Sequence, residues 1–247
     1  MAGSTLASPS ADPAVAAVAA ATVSVSPGRE TWRRFRRHKL AMASTLILAL
    51  LILGVVVGPW VWTIPINDID FSATLQGPSL AHPFGTDDLV QDILARMMYG
   101  GRISLAVGLA AMVVATTVGV VIGALAGMSR KIADPVLMWV TDLFLSLPQL
   151  PLLLLVIYLF RDVLKDVFGP EGGVFVLIVL VIGGLRWMPV ARLVRAQFLS
   201  LREKEFVEAA KALGASRIRL VVMHILPNAM GPVIVAGTID VAAAIIA

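Results

Sequence analysis

The sequence predicts an all-α, polytopic transmembrane helical bundle, and three observations predict it. Apolar residues make up 58% of the chain against 15% charged, with a mean hydropathy of +0.89, outside the range of ordinary soluble domains. They gather in runs long enough, at about 1.5 Å rise per residue, to cross a hydrocarbon core of about 30 Å. The segments between the runs alternate in charge as loops on opposite faces of a membrane do, with Lys and Arg on the cytoplasmic side.

Residues 1–28 are rich in Ala, Ser, Pro and Val. They lack the large apolar side chains that would offset the entropy of ordering, so a disordered cytoplasmic tail is expected. The basic cluster Arg33, Arg34, Arg36, Arg37 and Lys39 follows the Ala-rich run rather than preceding it, which is the wrong order for a secretory signal. It fronts a first span at residues 40–62, with Trp60 and Trp62 at the far interface. The following loop, to residue 101, holds Asp68, Asp70, Asp87, Asp88 and Asp92 against one Arg and belongs outside. Further spans are expected at 103–128, 135–160 and 173–190. A fifth begins near Ala229 and is still apolar at Ala247, so the bundle is expected to be C-terminally truncated. The turn at 129–131 is basic, residues 161–171 are mixed, and 192–219 is basic again. The N-terminus and the stretch 201–228 therefore belong on the cytoplasmic side of the cell (inner) membrane. Three parts result: the tail 1–28, the first span with its extracytoplasmic loop 29–101, and a membrane core 102–247 that carries the excursion 201–228.

The composition excludes several function classes. With no cysteine there is no disulfide framework and no thiolate metal site, and His38, His82 and His224 are too scattered for a local metal cluster. The basic residues flank apolar runs instead of forming a nucleic-acid groove, so no nucleic-acid partner is expected. No GxxxxGK[ST] motif occurs, so the chain has no P-loop of its own.

Within the excursion, Phe206, Ala209, Ala210 and Leu213 fall at i, i+3, i+4 and i+7 and predict one apolar helical stripe. Glu205, Glu208 and Lys211 lie off it. Gly214 follows as a left-handed C-cap, and Ser216 can N-cap a second short helix through Leu220. Pro227, which cannot donate to a helical ladder, is expected to end the excursion. A helix resting on lipid headgroups is one reading of this hairpin. The small Ala209, Ala210 and Gly214 favour close approach by another protein. Elsewhere, Asp142 sits in an apolar run, and a carboxylate near the bilayer centre costs roughly 2.5–3.5 kcal/mol on insertion scales. It reads either as a partly hydrated structural carboxylate about two turns into its span, or as an intramembrane polar site for substrate or protons. Pro148 and Pro151 predict a kink.

The run EAAKALGASRIRLVVMHILPN resembles the EAA loop of binding-protein-dependent ABC importer permeases, with EAA, then Gly four residues after the second Ala, then Ile-Leu-Pro. The resemblance implies that Glu208, Ala209, Ala210, Gly214, Ile225 and Pro227 belong to a coupling contact with an ATPase subunit. The stretch HPFGTDDLVQDILARMMYGGRISLAVG is similar to the corresponding segment of the dipeptide, oligopeptide and nickel branch, C-type subunit. Gly85, Thr86, Asp87, Asp92, Arg96, Gly100, Arg102, Ser104 and Leu105 match it. Members usually read Gly-Arg-Asp where this chain has Val90-Gln91-Asp92, often Ser at Ala95, and Arg at Trp139. Asp134, Asp142, Pro148, Arg192 and Arg195 also fit, and positive-inside anchoring accounts for the two arginines. The implied fold is that of a type I ABC importer permease. The implied partners are a second homologous permease subunit, two ATPase subunits, an extracytoplasmic solute-binding protein and the lipid bilayer. No cofactor is expected in this chain, ATP and Mg belonging to the ATPase. The implied activity is translocation of peptides, or of nickel, rather than catalysis. A non-transporting fragment and an ATP-independent secondary transporter or channel subunit are the alternatives.

Overall fold

A computed structural model describes residues 27–68, 73–129 and 132–246. Nearly all of the expected N-terminal tail, Asp70 and the basic turn at 130–131 lie outside the described residues. The described chain is helical without strands, and contacts divide it into two units, Met1–Trp62 and Thr63–Ala247.

In the first unit, α1 (Pro27–Arg37) carries Arg33, Arg34, Arg36 and Arg37 of the basic cluster, with Arg34 paired to Glu30 one turn earlier. The second helix, α2 (Lys39–Val61), is N-capped by His38, whose Nδ1 accepts from the Ala41 amide at 3.1 Å. None of its 23 residues is buried. A helix this apolar suits lipid as its solvent, and its length of about 34 Å matches the hydrocarbon core.

The second unit begins with a loop and is built on α3 (Ile93–Met128), which starts well before the expected span at residue 103 because Asp92 caps it. Four helices follow in two bent pairs. The first pair is α4 (Ala133–Ser146) and α5 (Gln149–Phe168), the second α6 (Pro170–Gly184) and α7 (Trp187–Leu201). The single span expected at 135–160 is thus two helices at 88° to each other. Pro148 stands at the break, where its ring and missing N–H stop the preceding ladder. The second pair bends by 42° at Leu185 and Arg186. Two short helices, α8 (Glu205–Ala212) and α9 (Arg217–Arg219), lead through a π-helical turn (Leu220–Ile225) into α10 (Leu226–Ile246). Among the described residues, three helices are long and apolar enough to cross a membrane, or up to five if each bent pair is one crossing.

Small residues on α3 decide how closely the bundle packs. Gly119, Gly123 and Gly127 recur every four residues and face α7. A Cβ on Gly123 would lie 2.5 Å from the Ala191 carbonyl oxygen, and one on Gly127 would lie 2.5 Å from Phe198 Cβ. The two backbones therefore meet with only hydrogen atoms between them, which maximises dispersion contact where no hydrophobic drive separates helix from lipid. Across the α5–α6 hairpin, Gly173 approaches the Leu164 carbonyl in the same way, at 2.4 Å from a Cβ position.

Candidate functional site

The excursion folds as a hairpin of two short helices, and its corner is a Schellman motif. After α8, the Gly214 amide donates to the Lys211 carbonyl at 2.9 Å and the Ala215 amide to the Ala210 carbonyl at 3.0 Å. Gly214 supplies the left-handed residue this needs, at φ +81°. Ser216 then caps the next helix, its Oγ accepting from the Arg219 amide at 3.3 Å. Both features match the sequence expectation.

The predicted stripe divides between two faces. Val207 and Ala210 turn inward and join a core with Leu220 and Ile225 from the far arm, Val190, Val194 and Phe198 from α7, and Ala229 and Val233 from α10. Phe206, Ala209 and Leu213 turn outward, and Leu213 is 89% exposed. Ala210 lies about 40° around the helix from Phe206, at the edge of the stripe, while Val207 completes the inner face at i and i+3. Ile218, 77% exposed, extends the outer face beyond the turn. Of the residues expected in a coupling contact, Glu208, Ala209, Gly214 and Pro227 are exposed, and Ala210 and Ile225 are buried.

Pro227 does not end the excursion. Helical structure runs without interruption from Arg217 to Ile246, and Pro227 sits in the first turn of α10. The π-helical turn makes this possible. The Leu226 amide reaches back to the Val221 carbonyl, widening the ladder just ahead of the proline ring. The Asn228 side chain donates to the His224 carbonyl at 2.7 Å. The second short helix, expected to finish at Leu220, therefore continues into the last span.

Asp142 is exposed and pairs with Arg192. One step further along the same helix pair, Arg195 grips Asp134 with two bonds, 2.5 Å from Nε and 2.7 Å from Nη2. Two carboxylates of α4 thus meet two guanidinium groups of α7. Positive-inside anchoring missed this pairing. The signal was a carboxylate inside an apolar run, Asp142, in a chain that also carries arginines at the end of a neighbouring span, since such a carboxylate takes a cation as partner.

On the other side of the bundle, the loop ahead of α3 is held by polar contacts. Asp92 is buried, accepts from the Ala95 amide at 2.7 Å and meets His82 Nδ1 at 2.9 Å. Thr86 donates to the Ala73 carbonyl and accepts from the Gln76 amide. Asp87 Oδ1 accepts from the Gln91 and Leu89 amides, and Arg96 bonds both Asp87 and Gln91 Oε1. The Gln91 amide, with help from Leu89 and Arg96, holds the Asp87 carboxyl below its ordinary value. The departure from Gly-Arg-Asp therefore leaves a polar network standing, with Gln91 as an acceptor for Arg96.

Two family models match this sequence. The binding-protein-dependent transport system inner membrane component covers residues 119–247, more than half of the chain and the whole of the hairpin. The chain belongs to this family. The N-terminal transmembrane domain of oligopeptide transport permease C matches residues 26–78 of the same permease. The permease is 37% identical over 220 residues to the oligopeptide transport system permease protein OppC of Haemophilus influenzae, spanning 87% of this chain and 67% of that one. It is 37% identical over 226 residues to the dipeptide transport system permease protein DppC of Bacillus subtilis, with 91% and 67% covered. It is 35% identical over 215 residues to the OppC protein of Mycobacterium bovis, with 87% and 71% covered. It is thus an all-α membrane permease of the ABC importer type.

Proposed function

We propose that this permease forms half of a peptide translocation pathway and takes its drive from an ATPase docked on the outer face of the 201–228 hairpin. The observation that carries the reading is the division of the hairpin into two faces. Outside, Phe206, Ala209, Leu213 and Ile218 present an exposed apolar surface with Glu208 beside it. Inside, Val207, Ala210, Leu220 and Ile225 are locked into one core with α7 and α10. A protein pressing on the outer face would move a packed body, because cores of this density do not deform continuously. Ala210 and Ile225 then serve from behind, by holding the outer face in place. Names of the relatives favour peptides over nickel as cargo. Charge alternation favours a cytoplasmic N-terminus and hairpin.

The reading is tested by Ala209→Arg, made in the permease assembled with its partner permease and ATPase subunits. Ala209 is exposed, so insertion and helix content should be unchanged. Retention of ATPase through purification should fall by about tenfold or more, as for a charge placed in the centre of an interface. Peptide uptake should fall with it. Full ATPase retention would sink the docking reading.

A further inference from the structure

A cavity of about 520 Å³ lies behind the hairpin, between it and the ends of α3, α4 and α7. Three cationic side chains line it, Arg202 at the end of α7, Lys211 on α8 and Arg217 on α9, together with the Ser129 hydroxyl. Leu220 and Ile225 form an apolar floor. No carboxylate lines it among the described residues. Asp134 is the acidic group near Arg202, but Arg195 already grips it from both oxygens. Glu208 is on the same helix as Lys211 but is exposed and outside the lining. Arg202, Lys211 and Arg217 therefore line an open volume whose lining holds no carboxylate among the described residues.

Two contacts fix two of these cations in place. Arg202 Nη1 donates to the Gly127 carbonyl at 3.0 Å, and Lys211 Nζ donates to the Arg202 carbonyl at 3.3 Å. Each uses one donor and leaves the others for a ligand. Like charges held together repel unless an anion bridges them, and the group best matched to several Arg and Lys donors is a phosphate. We propose that this cavity is a phosphate-binding site. Its place at the ends of α3 and α7, with an apolar floor beside the charges, makes the phosphate of an anionic phospholipid its first ligand. The proposal uses the cytoplasmic orientation read above and is independent of where the ATPase docks.

The test uses the assembled transporter in nanodiscs of phosphatidylcholine with graded phosphatidylglycerol, and native mass spectrometry to count retained anionic lipid. Both leaflets have the same composition, so the result does not depend on orientation. Lys211→Gln and Arg217→Gln should each raise the half-saturating phosphatidylglycerol fraction by about fivefold, the share of one cation near a charged surface. The charge-keeping pair Lys211→Arg and Arg217→Lys should bind as the parent does. A second arm titrates inorganic phosphate into pure phosphatidylcholine nanodiscs. Variant-sensitive binding there without lipid retention supports the site with a soluble phosphate as its ligand. Equal binding by parent and Gln variants in both arms overturns the proposal, as does loss in the charge-keeping pair. Binding by the permease pair alone that vanishes on adding ATPase would also overturn it, because a protein group would then fill the cavity.

Discussion

Val90 carries a β-branched side chain at φ +63°, in the left-handed region where Cβ crowds the following carbonyl. Its amide still donates to the Asp87 carbonyl at 3.1 Å, and the Asp87 side chain collects the next two turn contacts. Turn geometry therefore wins over the side-chain preference, at a cost of about 1–2 kcal/mol. Glycine, which the resemblance described above expects at this position, adopts that conformation freely. Val90→Gly should stabilise the loop by about 0.5–1 kcal/mol after allowing for the extra chain entropy of glycine. Hydrogen exchange at the Gln91 amide reads this directly. Slower exchange is expected, and faster exchange would mean that Val90 contributes packing that outweighs its strain. The neighbouring Gly85 behaves differently. At φ +77° it also sits where a Cβ would come within 2.3 Å of the Gln76 carbonyl oxygen, so backbone conformation and close approach both require glycine. Gly85→Ala should destabilise the same loop, with accelerated exchange at Gln91.

Among the elements, the contact of α3 with α7 carries the most information. Alanine, the smallest substitution, would place a Cβ at Gly123 2.5 Å from the Ala191 carbonyl oxygen and 2.7 Å from Val194 Cβ. Neither is the flexible end of a side chain, so the helices must separate. Gly123→Ala should cost about 1–3 kcal/mol and lower the thermal midpoint of the purified permease, while the same change at exposed Gly231, which has open space around it, should leave the midpoint nearly unchanged. Equal midpoints for the two variants would refute the close approach. The ladder was open to inspection in TTVGVVIGALAG, since glycines four apart on an apolar helix mark a packing face. Other features were less legible. The first span was plain from its length alone, and Gly214 and Ser216 gave the hairpin corner because cap chemistry is local. The stripe on α8 was ambiguous because Ala210 lies between the two faces, and only the partners across the fold, Phe198 and Ile225, decide which way it turns. Pro227 misled for a similar reason. A proline in a first helical turn costs little, and the preceding π-helical turn that accommodates it has no local sequence signature.

At the scale of the whole molecule, the second unit is one mechanical body around the hairpin. Val207 and Ile225 share a core with Phe198 of α7 and Val233 of α10, and α7 is in turn keyed to α3 by the glycine ladder. A force on the hairpin would reach three membrane helices without passing through a flexible link. That consequence requires the hairpin and the loop before α3 to lie on opposite faces of the membrane, with each bent pair counted as one crossing. The chain has no cysteine, so single cysteines report topology without background. Leu80 is fully exposed in the loop, and Leu213 nearly so at the hairpin tip. In intact cells, a membrane-impermeant maleimide should label Leu80→Cys and spare Leu213→Cys. In inside-out vesicles the pattern should reverse, and labelling of Leu213→Cys should fall again when ATPase subunits are bound. Labelling of both sites from one face would remove an odd number of crossings from the second unit. One of the two bent pairs would then be re-entrant rather than spanning, and a push on the hairpin would not be transmitted through it across the bilayer.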